Sequence, residues 1–154
     1  GIQIKSENNL SIPVLADEDF FIHLCSHLYK EASTLPWIKM KRDMTLYKYC
    51  DIYLLLSEMS DSDLLKVFQR AKELGMEKIC SYTILETMDL FDMDKLLAWN
   101  HSIKVLADDP DFRLKVISPN ERKIYKYQTA SVNERFFMET RINDLMEVNS
   151  NEKT

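Results

Sequence analysis

His23-Leu24-Cys25-Ser26-His27-Leu28-Tyr29-Lys30-Glu31-Ala32, followed after a proline-containing break by Leu46-Tyr47-Lys48-Tyr49-Cys50-Asp51-Ile52-Tyr53, decides how this chain is read. At about 100° per residue, Phe21, Leu24, Cys25, Leu28 and Ala32 fall on one stripe, the pattern of a helix that turns a single face to a core. Phe20, His23, His27 and Glu31 fall together on a flank away from that stripe. Asp17-Glu18-Asp19 stands just ahead, where carboxylates complement the free N–H groups and dipole of a helix start. The first helix therefore runs from 17 to about 33, and Pro36 discourages its continuation.

Working outward, Met44 to Met59 reads as a second helix in which eleven of sixteen residues are apolar or aromatic. A helix that is apolar all round is expected at the centre of a fold, so Asp51 is expected to be buried and in need of a partner. Asp61 to Leu74 is amphipathic, with Leu64, Val67, Phe68, Ala71 and Leu74 on one face, a Ser60 or Asp61 cap and Gly75 as its stop. Helices over 77–91 and 93–107, with Asp92 as a cap between them, continue the pattern. Asp108-Asp109-Pro110 ends the helical run. Residues 112–117 and 123–128 then read as two strands around the turn Ser118-Pro119-Asn120, the alternative being an extended loop. A last helix is expected from Val132 to Val148, and a mobile tail over 149–154.

Ahead of the helices, Ile2 to Lys5 and Leu10 to Leu15 have strand-like content separated by a turn-prone stretch. They read as a hairpin, residues 1–16 forming an extended junction or strand remnant and 17–148 a helical domain. Gly1 in place of Met is consistent with a natural beginning further upstream. The fold class is thus mainly α, a bundle of about six helices with an N-terminal hairpin and a small β-hairpin near 112–128.

Composition narrows the function. The chain has 154 residues, 45% apolar and 29% charged, enough for one domain with a real core. Its formal charge of −5 argues against nucleic acid as the partner. No apolar run reaches the roughly 18 residues of a membrane span and no secretory pattern opens the chain, which points to the cytoplasm. Cys25, Cys50 and Cys80 are odd in number and set among apolar residues, so they read as reduced core residues.

His23 and His27 have the i, i+4 spacing by which two imidazoles can share a metal, but Leu24 breaks the HExxH pattern and a third ligand would have to be Asp51. Structural or interface histidines are the simpler reading, and neither catalytic nor metal residues are assigned. Cys25 and the histidines diverge too far around the helix to make a nucleophile and base. The acidic pairs at 17/19, 61/63, 92/94 and 109/111 sit at helix starts and loops, where capping accounts for them. Glycine occurs only at positions 1 and 75, which excludes a glycine-rich phosphate loop. Arg135 and Arg141, with Lys123 and Lys126, read as solvated surface charge.

Val14-Leu15-Ala16-Asp17-Glu18-Asp19, the stretch from His23 to Ala32, Asp51-Ile52-Tyr53-Leu54-Leu55-Leu56 and Glu134-Arg135-Phe136 together resemble the C-terminal portion of a bacterial family of nucleotidyltransferase-like proteins, over roughly residues 10 to 148. In that family a polymerase-β-type catalytic domain, with a Gly-Ser turn and paired aspartates for metal and nucleoside triphosphate, precedes a helical domain. The resemblance implies that this chain is the helical part. Magnesium and nucleoside triphosphate would then belong to a longer parent, with an N-terminal nucleotidyltransferase domain or another protein as partner. No Gly-Ser occurs here, so no catalytic residue is carried over. Phe20, His23, His27, Glu31 and Asp51 are the candidate interface or cleft residues. The alternative is a free-standing helical interaction or regulatory module.

Overall fold

The computed structural model describes the backbone of residues 2–7 and 10–15 and all atoms of residues 17–148. The expected tail over 149–154, and junction residues 1, 8, 9 and 16, lie outside the described residues. The fold is mainly α-helical, with two small antiparallel sheets. Strands β1 (Ile2–Glu7) and β2 (Leu10–Leu15) pair from Ile2↔Leu15 to Glu7↔Leu10 and lead into helix α1 (Asp17–Ala32). There follow α2 (Leu35–Lys39), α3 (Leu46–Glu58), α4 (Asp61–Glu73), α5 (Glu77–Phe91) and α6 (Leu96–Val105).

The helix at the centre is α5, and every residue from Cys80 to Met88 is buried. Helices α1, α3, α4 and α6 pack around it. The expectation that 44–59 would be central is overturned. Helix α3 buries only Tyr49, Ile52 and Leu56, a narrow stripe, and leaves Leu46, Tyr47 and Leu54 exposed. Its composition is apolar all round, but only one side has a neighbour. In α5 the polar residues Ser81, Thr83, Glu86 and Thr87 are carried into the core because helices cover it on several sides.

The boundaries have local causes. Ser60 Oγ accepts from the Asp63 N–H at 3.1 Å while Asp63 Oδ2 accepts from the Ser60 N–H at 3.0 Å, a reciprocal cap that starts α4. Gly75, with φ +68°, ends it. Asp92 closes α5 in the left-handed conformation, and Lys95 is not helical, so the next helix begins at Leu96 and is shorter than expected. Pro36, read as a breaker, lies in the first turn of α2, where a missing N–H costs nothing.

A 3₁₀ turn (Phe112–Leu114) leads into β3 (Lys115–Ser118), which pairs with β4 (Lys123–Tyr127) as the sequence suggests. The single helix expected over 132–148 does not form. The segment divides into α7 (Val132–Phe136), a 3₁₀ turn (Arg141–Asp144) and β5 (Leu145–Glu147), which adds a third strand beside β4. Arg141 is the physical reason: its Nη1 donates to the carbonyls of Arg135, Phe136 and Met138, each at 3.3 Å, which folds the chain back on itself.

The same arginine donates to both oxygens of Asp43, at 2.8 and 3.0 Å, and Arg135 Nη2 donates to Glu86 at 3.3 Å. Arg135 and Arg141 are therefore internal ion-pair partners, not the solvated charges expected of them. Arg113 completes the set, donating to Glu86 at 2.7 Å and Asp89 at 2.6 Å. The guanidinium of Arg135 also lies 4.7 Å from the centre of the Tyr127 ring. These contacts join the C-terminal sheet to the bundle.

Candidate functional site

Helix α1 is held to the core through Phe21, Ile22, Cys25, Leu28 and Ala32, which turns His23 and His27 outward. One turn apart, their rings meet edge to face with centres 4.5 Å apart. The neighbouring helix α3 presents Tyr47, Lys48 and Asp51 to the same place. His23, Leu24, His27, Tyr47, Lys48 and Asp51 line a depression of about 280 Å³. Lys48 Nζ is ion-paired with Glu31 of α1, which ties the two walls together, and lies 5.9 Å from the centre of the Tyr47 ring.

Four of the five sequence candidates are thus brought to one surface: His23, His27 and Asp51 border the depression, and Glu31 supports it. Phe20 is not among them. It is 45% exposed and opens onto a separate hollow with Leu55, Met59 and Val67. Asp51 is exposed, contrary to its expected burial, because it lies on the side of α3 away from Tyr49, Ile52 and Leu56. Among the described residues it has no hydrogen-bond or ion-pair partner. Tyr47 and Lys48 were not singled out in the sequence, although Lys48 stands one turn before Asp51.

Among the described residues no three His, Cys, Asp or Glu side chains converge as ligands of a metal would. The acidic pairs do not fit a magnesium site either. Asp63 caps α4, Asp109 pairs with Lys115 at 3.0 Å, and Asp111 pairs with Lys126 at 2.9 Å. In a broader hollow of about 680 Å³ between α1 and α4, Arg70 bonds Asp19 at 2.8 Å and Glu73 at 3.2 Å.

Burial favours the neutral form of a core thiol and three phenols. Burial pushes the Cys25 thiol well above its ordinary value, and Cys80, beside it, adds to the shift. Burial likewise raises the phenols of Tyr49 and Tyr82, with Glu86 adding to it, and that of Tyr127, with Asp43 adding to it. All three cysteines are free, Cys25 and Cys80 in the core and Cys50 half-buried. No helix among the described residues is long and apolar enough to cross a membrane.

A family model described as uncharacterised nucleotidyltransferase matches residues 3–92, from the β1–β2 pair to the end of α5. That span is more than half of the chain and contains the whole depression. The chain belongs to this family. It matches no curated protein and no solved structure.

Proposed function

We propose that this chain is the helical part of a nucleotidyltransferase-like protein, and that the face bearing His23, His27 and Asp51 packs on and frames the substrate cleft of a catalytic domain. The observation that carries the reading is the meeting of α1 and α3 side chains in one open depression inside the family-matched span. Here two imidazoles on α1 and a carboxylate and an ion-paired lysine on α3 line one depression and leave the apolar stripe intact. Tyr47, 64% exposed in the lining, gives the face apolar area of the kind that packing on another domain uses.

Catalysis belongs, in this reading, to the other domain, which would bring magnesium and the nucleoside triphosphate. The chain has no glycine-rich phosphate loop and, among the described residues, no set of converging metal ligands. The test is His23→Ala and His27→Ala in a natural polypeptide that joins this chain to a nucleotidyltransferase domain. Loss of nucleotidyl transfer with the fold intact is expected. Unchanged transfer and unchanged stability would sink the proposal.

The same exposed residues serve the alternative, a free-standing interaction or regulatory module. A natural reading frame that starts at this chain favours that alternative. One that encodes Gly-Ser and paired aspartates upstream favours the nucleotidyltransferase reading.

A further inference from the structure

We infer that the His23, His27 and Asp51 depression holds the acceptor of the nucleotidyl group, an uncharged ligand carrying several hydroxyls, and not the nucleotide. The inference rests on the reading just given and names the substrate class of that same site.

Charge argues first. Lys48 is the cation of the depression, and Glu31 already claims it. With Asp51, two carboxylates stand against one ammonium. The first turn of α3 adds the positive end of a helix dipole, roughly half a charge, which does not reverse the balance. A triphosphate with several negative charges is repelled by such a site, whereas an uncharged ligand is not.

Hydrogen-bonding capacity argues second. The Asp51 carboxylate accepts and has no partner among the described residues. Each imidazole brings two ring nitrogens, and the Tyr47 hydroxyl both donates and accepts. Adjacent hydroxyls, which donate and accept in turn, match this mixture. Tyr47, 64% exposed, adds a flat apolar ring on which a carbon skeleton can rest. A volume of about 280 Å³ suits a ligand of one ring, since pockets for drug-sized molecules begin near roughly 300 Å³.

The test uses the purified chain with labelled histidines. The imidazole resonances of His23 and His27 are followed by NMR against glucose, sorbitol and adenosine, and separately against magnesium ATP. Saturable shifts of both rings are expected with at least one of the three uncharged probes. Asp51→Asn should weaken that binding about tenfold, the size of one lost hydrogen bond to a charged group. Absence of a saturable shift with all three probes overturns the inference, and so do imidazole shifts that saturate with magnesium ATP. The underlying reading fails on a different observation, calorimetric binding of magnesium ATP by this chain with both imidazoles silent, so the two are told apart.

Discussion

Arg135 on α7 donates through Nη2 to Glu86 Oε2 on α5 at 3.3 Å, and both side chains are about 2% exposed or less. The pair brings the C-terminal segment into the middle of the bundle. Its Nε is buried without a hydrogen-bond partner. Breaking a buried pair from one side typically costs about 3–5 kcal/mol, and because Arg113 still bonds Glu86 at 2.7 Å the low end of that range applies here, about 3 kcal/mol. Arg135→Ala should therefore destabilise the fold by about that amount in urea unfolding. Because Arg113 still bonds Glu86 at 2.7 Å, joining it to Glu86→Gln should recover none of the loss.

Leu64 is fully buried on the inner face of α4. Leu64→Ala removes that packing and leaves a cavity, so a loss of about 2–5 kcal/mol is expected. His23→Ala and His27→Ala are exposed changes and should alter stability by no more than about 0.5 kcal/mol. Chemical denaturation of the three variants side by side checks the contrast. Equal losses would mean that the histidines are structural.

His101 on α6 stacks on Phe68 with ring centres 3.8 Å apart, and its Nε2 is buried without a partner. Burial lowers its pKa from the ordinary 6.5, with Glu77 opposing the shift and Lys104 adding to it. Because the folded value is the lower one, its contribution to stability is complete above pH 6.5 and is lost as the pH falls from there through the folded value. Unfolding measured from pH 7.5 to 5 should show this loss, and His101→Gln should flatten that part of the profile. An unchanged slope in the variant would assign the effect to other groups.

Gly75 adopts φ +68°, with no atom within 4 Å of where a Cβ would stand. The penalty for Gly75→Ala is therefore backbone strain alone, about 1 kcal/mol. A drop in thermal midpoint of a few degrees is the expected reading.

How much of this was visible in the sequence depended on whether the deciding contact was local. The α4 cap, the Gly75 stop and the 77–91 helix rest on neighbours in the chain, and all three were legible. The centre of the fold was not. Composition favoured the 44–59 segment over 77–91, because Glu86 and the buried hydroxyls of α5 look like surface residues until Arg113 and Arg135 are seen beside them. The break in the expected last helix depends on Arg141 reaching Asp43, 98 residues away. For the candidate site, the i, i+4 spacing placed His23 and His27 on one face without the structure. Lys48 and Tyr47 joined them only through the packing of α3 against α1, and Phe20 left the group for the same reason.

The central claim is that this chain supplies a framing face and no nucleotide site. It is tested most directly by calorimetric titration with magnesium and each nucleoside triphosphate, on this chain and on a longer natural polypeptide containing it. Binding by the longer polypeptide alone is the predicted result. Tight binding by this chain itself, whether or not changes at His23, His27 or Asp51 abolish it, would contradict the account.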